Sequence, residues 1–524
     1  MIRFLAGCIL IFSLYSCTAP SSVSSSGALN LISASSESYS IPILKRMANN
    51  PVHRVRVYVP AGQGTSYTAL QLQINSDAVA ALDSVKIYGT GSEALFSDKT
   101  LLGSAIPVSN NVSIPLSVDV KPGLNYLWVS TVLKPGADID AKISLRATAL
   151  TNNRTTLNIA TPREPVIHHA GIVLRKPWDD NIHSYRIPGL ITTDKGTLIA
   201  VYDNRYTQSG DLPENIDVGM SRSTDGGRTW EPMKVIMDMG APHENNGIGD
   251  PSILFDPVTK KLWCAALWSK GNRSIAGSQP GLSPDESGQF VLVSSDDDGK
   301  TWSAPYNITA QVKNPIWHIY FNGPGNGIAM QNGTLVFASQ YWDETTQPSR
   351  VGIPHSSVIY SEDHGKTWKS GIGAKYNTTE AQVVETTPGT LMLNMRDNRG
   401  EFRSIATTKD LGKTWLEHPT SYKALPDPVC QGSIIKARVN VKGVMRDVLF
   451  FSNVNSSTTR HNMTVKASLD LGETWLPANE VLIDSRRSFG YSCLTKIDDN
   501  TLGLLYEGVR DLYFVRVPVS DVIK

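Results

Sequence analysis

The sequence predicts an all-β protein in which a six-bladed β-propeller follows a β-sandwich domain. An eight-residue pattern occurs five times and a shorter pattern four times after residue 166, which indicates a structure built from repeated small sheets. The 41 glycines and 30 prolines among 524 residues favour many short strands joined by turns over long helices.

The longer pattern, Ser/Thr-x-Asp-x-Gly-x-Thr-Trp, has the chemistry of a turn. Its Asp can accept hydrogen bonds from backbone N–H groups, its Gly permits a positive φ, and its Trp can cover the corner with apolar surface. Because the pattern repeats, we expect its aspartates to hold turns rather than to catalyse. The five copies run over 223–230, 295–302, 361–368, 408–415 and 468–475.

The shorter pattern, Gly/Asn-Thr-Leu, opens four apolar runs that are typical of buried strands. Six residues after each Thr stands a polar residue. Equivalent positions in a repeat occupy equivalent places in space, so these residues either line a shared pocket or mark where each strand reaches solvent; we favour the pocket. The four residues are Asp203, Gln340, Arg396 and Glu507.

The repeats also indicate the domain boundaries. Residues 166–524, at about 60 residues per repeat, provide six blades whose inner strands would surround one axial funnel. Residues 40–160 lack the repeats and alternate apolar and polar positions between turn residues, so we predict a separate β-sandwich, a candidate carbohydrate-binding domain. A Ser- and Ala-rich tether is predicted over 18–39.

The first 17 residues have the pattern of an export signal. An apolar stretch too short for a spanning helix follows Arg3, and residues 14–17, Leu-Tyr-Ser-Cys, resemble the lipidation site of a bacterial lipoprotein. We therefore expect an exported protein of a Gram-negative bacterium, in the periplasm, at the outer membrane or cell surface, or secreted. A lipid on Cys17 would be its only link to a membrane; cleavage near Ser16 without lipidation is the alternative.

Charge and cysteine content argue against several other classes. The 49 Lys and Arg balance 48 Asp and Glu, so a net charge of +1 provides no long-range field for nucleic acid. The cysteines beyond residue 17 are too few and too scattered for a disulfide framework, and the histidines form no zinc motif. We expect no metal and no cofactor.

Residues 166–524 resemble the exo-α-sialidases, or neuraminidases, of bacteria and animals. The resemblance rests on residues 185–188, Tyr-Arg-Ile-Pro, which are similar to the Arg-Ile-Pro motif of that family, together with the five Asp-containing repeats. The region 122–130 resembles the β-domain ahead of the propeller in some secreted bacterial sialidases. The resemblance implies a retaining exo-α-sialidase acting on sialylated glycoproteins, glycolipids and oligosaccharides through a covalent Tyr intermediate.

The resemblance further implies three arginines that clamp the carboxylate of sialic acid, a role that suits the bidentate guanidinium group. Arg186 follows from the Arg-Ile-Pro motif, Arg396 from the run Leu-Asn-Met-Arg, and Arg460 from its polar loop. Arg399 and Arg403 compete with Arg396 for the middle position.

The same resemblance implies the catalytic groups. Sialidases use a Tyr nucleophile, since an attacking carboxylate would be repelled by the carboxylate of the substrate. Tyr491 would attack the anomeric carbon with Glu380 as its base, and Asp211, its pKa raised by burial, would serve as the acid/base. Glu385 competes with Glu380, and Asp217 competes with Asp211.

Three further residues are implied to support the substrate: Arg205 near its N-acetyl and C4 side, Asp250 in contact with it, and Glu507 as the group that orients Arg186. Two alternatives stay open, namely a trans-sialidase or intramolecular trans-sialidase of the same fold, and a non-catalytic propeller that binds glycans or proteins. A scaffold has no reason to keep all these groups together, which favours the enzyme.

Overall fold

A computed structural model describes residues 31–343 and 352–524. In these ranges it contains six propeller sheets and an N-terminal β-domain, which confirms the predicted fold class. The predicted export signal and lipidation site lie outside the described residues, as does the start of the predicted tether. Within the described ranges, the helices are too short or too polar to cross a membrane.

The N-terminal domain is built on a nine-stranded sheet, and its residues share one apolar core. Its elements are β1 (Ser33–Ser38), β2 (Ile43–Lys45), β3 (Asn50–Val59), β4 (Thr65–Ile74), α1 (Ser76–Ala81), β5 (Leu82–Gly91), β6 (Leu101–Ala105), β7 (Asn111–Val120), β8 (Gly123–Leu133), β9 (Lys142–Ile143), β10 (Leu145–Thr151) and β11 (Thr156–Ala160). The order in the sheet is β6-β5-β8-β3-β1-β11-β10-β4-β7.

Strand β1 differs from the sequence prediction, which assigned 18–39 to a tether. It pairs antiparallel with β3 and parallel with β11. Backbone ladders on both sides hold the strand whatever its side chains are, so a Ser-rich segment with little apolar content still joins the sheet.

The remaining elements are short strands with a few helical turns. They are β12 (His168–Arg175), η1 (Asp179–Asn181), β13 (Ser184–Thr192), β14 (Leu198–Arg205), β15 (Ile216–Ser223), β16 (Lys234–Met237), β17 (Ile248–Phe255), β18 (Leu262–Trp268), β19 (Gln289–Ser295), β20 (Tyr306–Asn307), α2 (Thr309–Val312), β21 (Ile319–Asn322), β22 (Gly325–Asn326), β23 (Ile328–Ala329), β24 (Leu335–Asp343), β25 (Ile353–Ser361), β26 (Lys369–Ser370), β27 (Lys375–Tyr376), β28 (Thr378–Thr387), β29 (Thr390–Asp397), β30 (Ser404–Thr408), β31 (Leu416–Glu417), β32 (Ser433–Val441), β33 (Val444–Val454), β34 (Met463–Ser468), η2 (Pro477–Asn479), β35 (Glu480–Asp484), β36 (Ser492–Asp498), β37 (Thr501–Glu507), β38 (Leu512–Pro518) and α3 (Val519–Val522).

The blades follow one another along the chain. Blades 1 to 5 are β13–β16, β17–β20, β21 with β24–β26, β28–β31 and β32–β35, and blade 6 is β36–β38 with β12. Strand β12 pairs antiparallel with β38, so the first strand of the propeller completes the last blade and closes the ring. Strand β2 pairs parallel with β12 and thereby joins the N-terminal domain to blade 6.

The antiparallel strands of each blade explain where the predicted site residues gather. The start of a first strand, the end of a second strand and the turn after it lie on the same face of the ring. Arg186, Asp250 and Glu380 lie near the starts of β13, β17 and β28. Arg396 and Glu507 lie near the ends of β29 and β37. The Asp-containing repeats follow third strands, so they lie on the opposite face.

The repeats form the turns that the sequence predicts. In the first copy, Gly227 N donates to Ser223 Oγ at 2.9 Å and Thr229 N donates to Asp225 Oδ1 at 2.9 Å. Thr229 Oγ1 also donates to Asp225 Oδ2 at 2.6 Å. The other four copies make the same three bonds. The aspartates therefore hold turns.

The repeat glycine also sets how closely neighbouring blades pack. Gly365 has a φ of +85°, and a Cβ there would lie 2.2 Å from the Trp263 ring in blade 2. Gly389 has a φ of +76°, but its Cβ would meet no described atom within 4 Å. We expect Gly365→Ala to lower the free energy of unfolding by about 1–3 kcal/mol more than Gly389→Ala, because only the former overpacks a contact. Denaturant titration of both variants checks this, and equal losses would contradict it.

Candidate active site

A cavity of about 330 Å³ opens on the face of the ring where first strands begin. Residues from blades 1, 2, 4 and 6 line it, so distant parts of the chain meet there. The lining consists of Ile187, Asp211, Leu212, Asp250, Leu267, Ser274, Ile275, Ala276, Glu380, Arg396 and Tyr491. The cavity thus has both a strongly polar and an apolar part.

A tyrosine and a glutamate form the centre of the polar part. Tyr491 Oη donates a hydrogen bond to Glu380 Oε1. Arg396 Nη1 donates to Glu380 Oε2 at 2.5 Å and to Tyr491 Oη at 3.0 Å. Burial and then the charge of Glu380 hold the pKa of Tyr491 well above its usual range, although Arg396 acts against them. The phenol therefore keeps its proton until the adjacent base removes it, which is the arrangement of an activated nucleophile.

The buried carboxylate of Glu507 ties the first arginine to the nucleophile. Glu507 Oε1 accepts from Arg186 Nε at 3.1 Å and from Ile187 N at 2.9 Å. Glu507 Oε2 accepts from Tyr491 N at 3.0 Å. One carboxylate therefore orients both the Arg186 guanidinium and the backbone that carries Tyr491.

The structure places the three predicted carboxylate-binding arginines around Tyr491. The guanidinium carbon of Arg186 lies 5.4 Å from the centre of the Tyr491 ring, and that of Arg460 lies 5.9 Å from it. Arg396 contacts the hydroxyl of the same tyrosine. Both terminal nitrogens of Arg460 donate to backbone carbonyls at 2.9 Å, which fixes its position. Three fixed cations at one point can hold an anionic group of the substrate.

The residues that competed with Arg396 and Glu380 in the sequence analysis form their hydrogen bonds and ion pairs outside the cavity. Arg399 forms an ion pair at 2.9 Å with Asp397. Arg403 is fully buried and donates to Asn394 Oδ1 at 2.7 Å. The carboxylate of Glu385 accepts from two backbone N–H groups at 2.8 Å. Arg396 and Glu380 therefore lie in the cavity lining, and these three residues do not.

Asp211 lies at the mouth, with 79% of its side chain exposed. Its Oδ1 accepts from Arg205 Nη1 at 2.7 Å and from Arg186 Nη1 at 3.3 Å. The predicted rise of its pKa is wrong for this state: burial does act upward, but the charges of Arg205 and Arg186 outweigh it and hold the pKa of Asp211 below its ordinary value. The rival Asp217 accepts from Tyr206 Oη at 2.8 Å, and burial raises the pKa of Asp217 to about 6.

Arg205 and Asp250 are joined by a buried aspartate. Arg205 Nη2 donates to Asp203 Oδ2 at 2.9 Å, and Asp250 N donates to Asp203 Oδ1 at 2.9 Å. Asp250 lines the cavity and has a φ of +57°, a strained conformation for a residue other than glycine. Burial and then the charges of Asp203 and Glu380 raise the pKa of Asp250 well above its usual range. The raised pKa favours the protonated form of Asp250, and only that form can donate a hydrogen bond to a sugar hydroxyl.

The four repeat-end residues do not all contribute to the site. Asp203, Arg396 and Glu507 belong to the networks around the cavity. Gln340 lies in blade 3, outside the described cavity lining, and its buried Oε1 has no hydrogen-bond partner among the described residues. Of the four, Arg396 alone is in the described lining, whereas Asp203 and Glu507 bond to the lining residues Asp250 and Ile187, so the shared-pocket hypothesis holds only in part.

Two features of the site were not predicted from the sequence. The ring of Phe489 lies 4.4 Å from the guanidinium carbon of Arg186, and its carbonyl accepts from Arg460 Nη1 at 2.9 Å. This one residue therefore positions two arginines, and its place two residues before Tyr491 was the available signal. The apolar part of the cavity includes Ile275 and Ala276 from the loop between β18 and β19, which contains no motif.

Comparisons with known proteins identify the family of the chain. The model for the N-terminal domain of BNR-repeat neuraminidase matches 31–156, and the model for the BNR repeat-like domain matches 196–505. A sialidase of Bacteroides fragilis is 42% identical, covering 92% of this chain and 94% of its own. The solved structure of the Hadza microbial sialidase Hz136 has 38% identity and a TM-score of 0.85, covering 93% of this chain and 100% of that one.

A Trypanosoma rangeli sialidase in complex with 2,3-difluorosialic acid, described as a covalent intermediate, shares the fold at 24% identity and a TM-score of 0.53. The alignment covers 64% of this chain and 54% of that one. The match to both family models, together with the high identity over nearly the whole chain, confirms the resemblance inferred from the motifs. The chain therefore belongs to the sialidases, the BNR-repeat neuraminidase family of glycoside hydrolases.

Proposed function

We propose that this chain is a retaining exo-α-sialidase that releases terminal α-linked sialic acid through a covalent intermediate on Tyr491. The observation that carries the proposal is the Tyr491–Glu380 hydrogen bond, with three arginines in contact with the same tyrosine. A volume of about 330 Å³ suits a single sugar residue. These features support an enzyme that removes one terminal residue.

Substrate binding would begin with the carboxylate on the three arginines. Arg186 Nη1 faces Asp211 in the free protein, so the incoming carboxylate would take over this contact. The ion pair with Arg396 would hold the Glu380 carboxylate against Tyr491, while the remaining nitrogens of Arg396 face the substrate. The polar contacts of Asp250 would fix a ring hydroxyl, and the apolar wall would receive the N-acyl group.

The reaction then follows two steps that balance protons. In the first, Tyr491 Oη attacks the anomeric carbon while Glu380 takes the phenol proton. The bond to the leaving oxygen breaks, and that oxygen takes the proton of Asp211. In the second, Asp211 removes a proton from water, the water oxygen attacks the anomeric carbon, and the Tyr491 oxygen leaves and recovers its proton from Glu380. Two inversions give net retention.

The pH dependence of this acid step has a predictable sign. Asp211 must be protonated to act, and its lowered pKa in the free protein leaves little of that form at neutral pH. A bound carboxylate would remove Arg186 from Asp211 and add negative charge, and both effects raise the pKa of Asp211. We therefore expect the basic limb of the kcat profile to lie at higher pH than that of the kcat/KM profile. Coincident limbs would contradict this assignment.

The Asp211→Asn variant tests whether Asp211 protonates the leaving oxygen. It should lose about tenfold more activity towards sialyllactose than towards 4-methylumbelliferyl sialoside, because a phenol leaves without protonation whereas a sugar does not. Asp217→Asn serves as the control, and it should keep the substrate ratio of the unchanged protein. An equal loss on both substrates would remove Asp211 from the acid role.

The function itself is tested by incubating the purified chain with α2-3 and α2-6 sialyllactose and following the products by NMR. Free sialic acid formed first as its α-anomer would support the proposal. The β-anomer as first product would exclude retention. Transfer of sialic acid to added lactose, or release of an anhydro sugar, would instead support a trans-sialidase or an intramolecular trans-sialidase.

We also propose that the chain is exported and lipidated at Cys17, which the pattern of residues 14–17 supports. The chain would then act on sialylated glycans outside the cytoplasm. Intact-mass measurement on the protein from its native membrane fraction would check the lipid. Carbohydrate binding by the N-terminal domain likewise stays a prediction.

A further inference from the structure

Trp178 is a large apolar residue that the fold presents to solvent. It is 64% exposed and has a φ of +72°. A bulky side chain rarely adopts this backbone conformation, which costs free energy and persists only where the surroundings enforce it. The exposed position therefore does not result from a lack of local structure.

The surroundings of Trp178 hold it in place. Its N–H donates to Ile182 O at 2.7 Å, and the guanidinium carbon of Arg510 lies 5.7 Å from the centre of its ring. The ring of His183 meets it edge-on, with ring centres 5.4 Å apart. The next residue, Asp179, accepts from Tyr185 Oη through its carbonyl at 2.7 Å. The indole is thus a fixed surface with much of its area open.

The segment that carries Trp178 adjoins the loop of the proposed acid. His183 N donates to Tyr206 O at 3.2 Å, and Ser184 Oγ donates to Gln208 O at 3.3 Å. Both acceptors belong to the loop that leads to Asp211. Arg510 donates to His183 O at 2.7 Å and lies three residues after Glu507, which holds Arg186. The segment that carries Trp178 therefore packs against the loop that carries the proposed acid, on the same face of the ring as the cavity.

We infer that Trp178 is a binding platform for a sugar of the leaving group, which would be a pyranose such as galactose that presents one face of C–H groups. Indole rings provide a flat, rigid and polarisable apolar surface at little entropic cost. Arg510 and His183 lie beside the platform and can bond to the hydroxyls of that sugar. The inference rests on the proposed function, because the leaving group extends from the oxygen that Asp211 would protonate.

The test compares two substrates of the full-length protein, sialyllactose and methyl α-sialoside, which lacks the leaving sugar. We expect Trp178→Ala to lower kcat/KM for sialyllactose by about tenfold relative to methyl α-sialoside, mainly through KM. Trp178→Asn should give the same ratio, and it removes doubt about folding because Asn tolerates a positive φ. Trp178→Tyr should restore most of the selectivity. Leu416→Ala, which truncates another exposed apolar residue on a different blade, is the control.

Each result of this substrate comparison either supports the inference or overturns it. A selective loss with the Ala and Asn variants, and recovery with Tyr, would support the platform. An unchanged ratio, or an equal loss on both substrates, would overturn it, since the residue would then act through the fold or not at all. Failure of the unchanged protein to cleave either substrate would instead refute the proposed function, and this inference with it.

Discussion

A Tyr491→Phe variant is expected to lose about 10²- to 10⁴-fold in kcat on sialyllactose, with a much smaller change in KM. The substitution removes the oxygen that would attack the anomeric carbon but leaves the ring against Arg186 and Arg460. Glu380 keeps its ion pair with Arg396, so no buried charge loses its partner. Steady-state kinetics on the purified variant measure the loss.

The matched control for this variant is Tyr506→Phe. Tyr506 is a buried tyrosine of blade 6 whose hydroxyl donates to Asp484 Oδ2 at 2.9 Å, outside the described cavity lining. Asp484 keeps Arg486 as a second partner in that variant. We expect its kcat to stay close to that of the unchanged protein. If Tyr491→Phe kept full kcat and the α-anomer as first product, Tyr491 would not be the nucleophile.

An Arg396→Ala variant is expected to lower kcat/KM by about 10²- to 10³-fold, because truncating one partner of a largely buried, hydrogen-bonded ion pair costs about 2–5 kcal/mol. Two losses combine at this position. The carboxylate of Glu380 would have no cation at 2.5 Å, and the substrate carboxylate would lose one of three guanidinium groups. Arg396→Lys should recover only part of the activity. Arg396 Nη1 bonds both Glu380 and Tyr491, and a single ammonium in its place would lack the second terminal nitrogen that a guanidinium offers to the substrate carboxylate.

Arg399→Ala is the control for that variant, since the two arginines compete in the sequence for one role. Arg399 pairs with Asp397 and stacks on Tyr376, with its guanidinium carbon 4.6 Å from the ring centre. We expect its loss to change kcat/KM by less than about threefold, in keeping with the small contribution of a partly exposed ion pair. Equal losses for Arg396→Ala and Arg399→Ala would contradict the placement of the arginines.

The repeated patterns were sufficient to predict the fold class. Five copies of a turn with Asp, Gly and Trp indicate repeated sheets, and the structure builds those turns from local hydrogen bonds between residues only four positions apart. Local chemistry of this kind is visible in sequence. The tether over 18–39 was predicted less well, since β1 is held by backbone pairing with strands that lie far along the chain.

For the candidate site, too, local patterns were visible in the sequence and long-range contacts were not. Motifs were sufficient to single out Arg186, Glu380 and Tyr491 as residues of the right chemistry. They did not indicate that Phe489 holds Arg186 and Arg460, because a ring contact and a backbone carbonyl leave no pattern in sequence. For the free protein, the expected rise in the pKa of Asp211 was wrong for the same reason, since two arginines reach it across space.

Residue types and their spacing thus determined the repeated sheets, their turns and the inventory of charged groups, because each depends on interactions among near neighbours in the chain. Only the tertiary structure decided which of those groups face one another. Closing the ring brings blades 1 and 6 together, so Glu507 meets Arg186 and orders the cavity across more than half the length of the chain. Long-range electrostatics and packing depend on that closure, and no local pattern encodes it.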